Sequence, residues 1–116
     1  MDSTSDLYSD DKFIWNVKDI WKAAEGIEPK LMQISDVINI DEFLDSYSWS
    51  VGKMTVRDIL DHTERIENAD LNYPIILTPE GCVADGCHRI VRAIKEGKNS
   101  ILTIKLKTMP KFIKTQ

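Results

Sequence analysis

One short segment of the chain combines residue types that could do chemistry: Asp85, Gly86, Cys87, His88 and Arg89 follow one another. A carboxylate, a thiol, an imidazole and a guanidinium thus surround a glycine. Apolar residues before the segment suit a strand, and those after it recur with helical spacing, so we expect a strand that turns directly into a helix. A helix N-terminus presents backbone N–H groups and the positive end of the helix dipole, which together bind anions. The segment therefore predicts a phosphate- or anion-binding turn.

The side chains of this turn suit that chemistry. Gly86 lets the backbone approach a ligand closely. Arg89, expected to lie exposed over the turn, offers a planar fork for phosphate or carboxylate oxygens, and His88 would hold the phosphates with it. Cys87 stands at the helix N-terminus beside both of them, where the pKa of a thiol falls. The structural alternative for Cys87 is a small, inert side chain that fills space.

The other residues of the turn also have structural interpretations. Asp85 would cap the following helix, because short polar side chains accept hydrogen bonds from the first free N–H groups. Arg89 would pair across the surface with an acid such as Asp58 or Glu96. His88 would be a polar residue at a helix start. These alternatives compete with the anion site and remain open from the sequence alone.

A second helix is predicted at residues 55–68 and contributes further candidates. Thr55 and Asp58 have the spacing of a capping box, with Asp in place of Glu. An apolar stripe runs along one side of this helix, opposite residues that face water. His62 and Arg65 are three residues apart and therefore share one side of the helix. We expect them to form the opposite wall of the anion pocket.

The apolar periodicity predicts an α+β fold in which helices pack around a small mixed sheet. The helices are expected at residues 13–25, 55–68 and 88–96, and the strands near residues 31–34 and at 75–78, 82–85 and 101–106. Gly81 suits a hairpin turn between the second and third strands. A helical turn is expected at residues 40–44 and a loop at 46–52. Trp15 and Trp21 are interpreted as core or edge anchors.

Composition limits the functions that fit this chain. Residues 1–11 are polar and acidic, which predicts a flexible tail, and residues 12–116 are expected to form one domain. The net charge of −4 disfavours binding to duplex DNA, and no apolar run approaches the length of a membrane span. Two cysteines without a partner pattern predict free thiols in a reducing cytoplasm. The His and Cys spacing predicts no zinc site.

The run at residues 74–89 resembles the core of the ParB/sulfiredoxin superfamily. It has an apolar strand beginning with Pro-Ile, a Gly turn, a short strand and Asp-Gly-x-x-Arg, followed by a helix that carries Ala93 and ends at Gly97. The chain is also similar to compact, stand-alone ParB-like proteins of bacteria and phages. Those share a His-x-x-Arg-Ile-x-x-Ala-Asp-Leu run, which here spans residues 62–71.

The resemblance implies a nucleotide ligand. In ParB-type domains the Gly-x-x-Arg turn binds the phosphates of a nucleoside triphosphate, and Gly86 and Arg89 hold those positions. ATP or CTP with Mg²⁺ is therefore the implied ligand, with Asp85 as the nearest carboxylate for the metal ion. In sulfiredoxins the matching turn has the sequence Gly-Cys-His-Arg, and its Cys attacks a phosphorylated sulfinic acid. Cys87 would have that role here. The DNA-binding helices of partition proteins have no counterpart.

Three functions follow from these observations. The first is a nucleotide- or phosphate-binding domain, which would hydrolyse or transfer a phosphoryl group if Asp85, His88 or Cys87 is catalytic. Its ligand contacts would be Gly86, Cys87, His88, Arg89, His62 and Arg65. The second is a non-catalytic interaction protein of phage or mobile-element type, which engages a protein partner through an acidic surface. The third is a sulfiredoxin-type thiol enzyme.

Overall fold

The computed structural model describes residues 7–41 and 54–116. The helices are α1 (Val17–Ala24), α2 (Ile34–Val37), α3 (Val56–Glu67) and α4 (Cys87–Lys95). The strands are β1 (Leu7–Ser9), β2 (Phe13–Asn16), β3 (Lys30–Gln33), β4 (Ile75–Leu77), β5 (Val83–Asp85), β6 (Ser100–Lys105) and β7 (Lys114–Thr115). None of the helices in these two ranges is long and apolar enough to cross a bilayer.

A four-stranded mixed sheet holds the order β3-β6-β4-β5. Strands β4 and β6 run parallel, with Ile76 opposite Ile104, and the other two neighbouring pairs are antiparallel. Gly81, at a φ of 92°, closes the hairpin between β4 and β5. The predicted α+β class is confirmed, and the four strands expected from the sequence are the four strands of this sheet.

Apolar side chains on the two faces of this sheet belong to two separate clusters. Ile76 of β4 packs with residues of α1, including Ile20, on one face. Its neighbours Ile75 and Leu77 pack with Ile90 of α4 on the other face. Successive strand residues point to opposite faces, so a strand covered on both faces must be apolar throughout. This explains the uninterrupted apolar run of β4.

A second sheet, with the order β1-β2-β7, was not expected from the sequence. Tyr8 of β1 is buried and stacks on Trp15 of β2, so residues 7–9 form a strand where a flexible tail was expected. The helix expected from Phe13 instead begins at Val17, because residues 13–16 pair as β2. The Asn16 side chain then caps α1 by accepting a hydrogen bond from the Lys18 N–H.

Helix α3 begins and ends within one residue of its expected bounds. The Thr55 hydroxyl accepts a hydrogen bond from the Asp58 N–H at 3.1 Å, and the Asp58 carboxylate accepts one from the Thr55 N–H at 2.9 Å. The capping box is therefore confirmed, and it lowers the pKa of the Asp58 carboxyl through these hydrogen bonds. No residue of α3 is buried, however. Its apolar stripe is exposed in the described structure.

Two sequence predictions fall partly or wholly outside the described residues. Of the helical turn expected at residues 40–44, only Ile40 and Asp41 are described, and they lie in a turn. The loop expected at residues 46–52 lies wholly outside the two described ranges.

The first strand of the larger sheet ends one residue earlier than expected, because Ile34 begins α2.

Candidate functional site

The turn at the start of α4 requires a glycine for steric reasons. Gly86 follows β5 directly, has a φ of 111°, and is the N-cap of α4. A Cβ atom at this position would lie 2.6 Å from Cγ2 and 2.9 Å from Cβ of Ile75, which is fully buried. Residues that have a Cβ atom rarely adopt such a φ, and the buried side chain of Ile75 leaves no space for that atom. The backbone of the turn therefore lies directly against β4.

The carboxylate of Asp85 does not cap α4. In the part of the chain that the structure describes, no side chain forms a cap hydrogen bond at Gly86, and the first turn contains no acidic residue. One oxygen of Asp85 instead accepts hydrogen bonds from the Trp21 indole N–H at 2.8 Å and from the Arg89 guanidinium at 3.1 Å. Asp85 thus links α1 to α4, and the interpretation of this residue as a helix cap is wrong.

Arg89 points into the protein rather than over the turn. Its residue is only 8% exposed, and its guanidinium donates to Asp85 and to the carbonyl oxygen of Pro74 at 3.2 Å. The expectation of an exposed Arg89 is therefore wrong. Ion pairing was anticipated as the alternative, but with other partners. Glu96, one of those named, instead pairs with Arg92 at 2.8 Å, and this hydrogen bond lowers the pKa of the Glu96 carboxyl.

Two histidines from different helices meet beside the turn. Nδ1 of His62 on α3 lies 2.7 Å from Nε2 of His88 on α4, and the two rings stack with centroids 5.0 Å apart. Both residues are half-buried. One ring must donate the hydrogen bond through an N–H group and the other must accept it, because a hydrogen bond between two imidazole nitrogens needs one donor and one acceptor. The structure therefore brings His62 to the turn, as the spacing on α3 suggested.

Arg65 stands three residues after His62 on α3 and is exposed. Arg92 of α4 donates a hydrogen bond to the backbone carbonyl of Glu67 at the end of α3. The two helices are thus joined at both the His62 position and the Glu67 position. Arg65 is thus an exposed cationic residue on the helix that carries one of the two imidazoles.

The thiol of Cys87 is buried at the first position of α4. Burial raises its pKa from 9.0 to about 11, so the expectation of a lowered pKa is wrong. Loss of hydration disfavours the thiolate. Arg89, one of the cations expected to lower this pKa, is paired with Asp85 instead. At neutral pH the thiol is protonated, and a protonated thiol is a poor nucleophile.

Over residues 7–41 and 54–116, no three His, Cys, Asp or Glu side chains converge as metal ligands would. A cavity of about 830 Å³ opens between α2, the β4–β5 hairpin and the C-terminal end of α4. Its lining includes Val37, Cys82, Ile94 and Lys98 but no residue of the turn. The cavity is therefore separate from the candidate site.

Sequence reasoning missed two groups that shape the turn, Trp21 and the carbonyl of Pro74. Trp21 lies 64 residues from Asp85 in the chain, and no spacing rule connects the two. A tryptophan needs a partner for its N–H when it is partly buried, which is the only signal that a polar contact existed. The backbone carbonyl of Pro74 carries no sequence signal at all.

Comparison with protein-family models, with curated protein sequences and with solved structures finds no match to this chain. The resemblance to the ParB/sulfiredoxin superfamily accordingly stays a prediction from the sequence.

Proposed function

We propose that the chain binds a phosphate-bearing ligand, a nucleotide or another phosphate ester, at the N-terminal end of α4. The observation that carries this proposal is the His62–His88 pair, which lies at a helix N-terminus that no described side chain caps. A helix N-terminus attracts anions, and an imidazole beside it supplies an N–H donor and, when protonated, a positive charge. The proposed contacts are therefore the α4 backbone, His88 and His62.

The remaining candidates have different roles in this proposal. Gly86 lets the turn pack directly against Ile75 of β4. Arg65, on the same helix as His62, is the cation that we propose to contact the ligand. Asp85 and Arg89 act as positioning residues, since their mutual ion pair fixes the direction in which the turn leaves β5. Cys87 is given no nucleophilic role in this proposal, because burial raises the pKa of its thiol to about 11. The proposal is thus one of binding, and the ATP or CTP with Mg²⁺ implied by the resemblance are the first ligands to test.

A thermal-shift series tests the proposal. ATP, CTP and inorganic phosphate are added with and without Mg²⁺, and a ligand at 100 times its Kd should stabilise the fold by about 2.7 kcal/mol. His88→Ala and His62→Ala should weaken binding, while Lys95→Ala, at the far end of α4, should not. Equal affinity of all three variants would overturn the proposal.

Arg89→Ala separates a positioning role from a ligand contact. The substitution leaves the carboxylate of Asp85 without its cation, which should cost about 3 kcal/mol of unfolding free energy. Urea denaturation and phosphate affinity are measured on the same sample. If stability is unchanged and phosphate affinity falls, Arg89 is a direct ligand contact and its assignment as a positioning residue is wrong.

A second candidate function is a non-catalytic interaction protein of phage or mobile-element type. The exposed apolar residues of α3 favour it, because contiguous apolar surface commonly marks a protein contact. Failure of every phosphate ligand to raise the melting temperature would reject the phosphate site and leave this function as the better supported one.

A further inference from the structure

Helix α3 exposes an apolar stripe that the phosphate-binding proposal does not use. The stripe consists of Val56, Ile59, Leu60 and Thr63, which follow one another along one side of the helix at the spacing of three and four residues. The three aliphatic members are 75%, 52% and 63% exposed, in that order. Single exposed apolar residues are ordinary, but a contiguous row on one helix is typical of a contact surface.

The stripe is distinct from the side of α3 that contacts the rest of the chain. On that side His62 meets His88 of α4, and Ile66 is half-buried. At 3.6 residues per turn, His62 and Ile66 lie along one edge of the stripe, and Arg57 and Glu64 lie along the other. Both of these charged residues are exposed. The stripe is thus bounded by α4 on one edge and by two opposite charges on the other.

The charges on the outer edge have opposite signs at the two ends. Arg57 lies in the first turn of α3 and Glu64 lies seven residues later, about 10 Å along the helix. This separation is too long for the two side chains to pair within one helix, where partners are three or four residues apart. An identical helix that runs in the opposite direction presents Glu64 where the first presents Arg57. The edge is therefore complementary to itself in the antiparallel orientation.

We infer that the α3 stripe binds the same stripe of a second copy of this chain, with the two helices antiparallel about a two-fold axis near Leu60. Each apolar row then covers the other. Arg57 faces Glu64 of the second copy, and the symmetry repeats this pair, as it does every contact of an isologous interface. A parallel two-fold arrangement would instead set the Arg57–Glu64 edge of each helix against the other helix's His62–Ile66 edge, which contacts α4 and offers no matching charges. Charge and apolar pattern thus select one occupant and one orientation.

Such an interface is small, so association is expected to be weak. It lies at the low end of protein interfaces, and a Kd of roughly 10 µM to 1 mM is expected. Sedimentation equilibrium of the full chain over this concentration range should show the mass rising from one chain to two. A mass of one chain at every concentration would overturn the inference. That result is also the one expected if a different protein, and not a second copy, covers the stripe.

Leu60→Glu tests the apolar part of the interface. A carboxylate in the middle of two facing apolar rows should weaken self-association more than about tenfold. Leu31→Glu is the matched control, since Leu31 is similarly exposed, at 68%, but lies on β3. Circular dichroism verifies that both variants keep their helices. Equal weakening by the two variants, or none by Leu60→Glu, would overturn the inference.

A charge swap tests the orientation independently of the apolar row. Arg57→Glu and Glu64→Arg should each weaken self-association about three- to tenfold, because each places two like-charged pairs across the two-fold axis. The double variant carries both changes and restores two opposite-charge pairs, so its affinity should return to within about twofold of the original. A double variant weaker than both single variants would show that these residues do not face each other.

Discussion

Helices α3 and α4 have the same kind of sequence pattern and opposite surroundings. Both are amphipathic and were expected from the spacing of their apolar residues. In α4 the apolar residues Ile90 and Ala93 are fully buried against the sheet. In α3 the apolar residues Val56 and Leu60 are largely exposed, and the helix contacts α4 by another side. The two helices touch, yet only one of them contributes its apolar side to the core.

The difference shows what apolar periodicity does and does not predict. A row of apolar residues every three or four positions indicates a helix and the side that avoids water. It does not identify what covers that side. For α4 the cover is β4 and β5 of the same chain, which are adjacent in sequence. For α3 the described residues contain no such cover, and in the antiparallel pair inferred above α3 of a second copy provides it.

The largest expected effect compares one residue from each apolar side. Ile90→Ala should lower the unfolding free energy by about 3–5 kcal/mol, because the fully buried side chain leaves a cavity in the core. Leu60→Ala should change it by less than about 0.5 kcal/mol, as exposed substitutions do. Urea denaturation at low protein concentration measures both. Similar losses for the two variants would mean that the α3 stripe is buried within one chain, and that α3 and α4 do not differ in their surroundings.

A smaller effect is expected from the turn that fixes α4 in place. Gly86→Ala should cost about 2–4 kcal/mol, because it combines an unfavourable φ with a Cβ that clashes with Ile75. Gly97→Ala is the matched control, since Gly97 has a φ of 77° at the other end of α4 and no atom within 4 Å of an added Cβ. It should cost about 1–2 kcal/mol from conformation alone. Thermal or urea denaturation measures the loss of unfolding free energy in the two variants. Equal losses would show that the Ile75 side chain moves to accommodate the added Cβ.

The smallest effect is a pH dependence that arises at the first residue of α4. The thiol of Cys87 has a pKa of about 11 in the folded chain and 9.0 as its ordinary value. Between these values the unfolded chain loses its proton first, so stability falls as pH rises. About 1 kcal/mol should be lost through this thiol between pH 9 and pH 10. Tyr8, whose pKa burial raises from 10.0 to about 12, adds a smaller loss of the same sign over this range.

Cys87→Ala should remove the larger, thiol-linked part of this loss and leave the smaller part from Tyr8, since no titrating thiol remains at the buried position. Cys82→Ala should retain it, because Cys82 is exposed. Urea denaturation at pH 8, 9 and 10 provides the comparison. The same slope in all three proteins would show that the thiol of Cys87 titrates normally and is accessible to water.

The sequence predicted the part of the fold that is built from near neighbours. Strands β4 and β5, the hairpin at Gly81, helix α4 and strand β6 follow one another, and each has its own local signal. The capping box at Thr55 was equally visible, because its two residues are three positions apart. Local patterns of this kind need no knowledge of distant contacts.

The unexpected parts of the structure depend on contacts between distant residues. The β2 strand was taken for the first turn of a helix, since only its pairing with β1 and β7 makes it a strand. Arg89 was expected over the turn, with Asp58 or Glu96 as its alternative partners. Its actual partner Asp85 has the i,i+4 spacing, but it precedes the helix and was expected to cap it. Trp21 and the carbonyl of Pro74, which surround Asp85 and Arg89, have no signature that links them. The candidate site was therefore located from the sequence, while the direction of its side chains was not.

The two sheets also differ in how far apart their partners lie along the chain, and this has a consequence for folding. Phe13 pairs with Thr115 across about 100 residues, whereas β4, β5 and α4 are contained in a short stretch. Closing a longer loop costs more entropy and slows the formation of its contacts. We expect the β4–β5–α4 stretch to form early and the pairing of β7 with β2 to form last, since β1 and β2 are near neighbours in the chain. With only two residue pairs between β2 and β7, the amide protons that join these two strands should exchange with solvent long before those of β4 and β6.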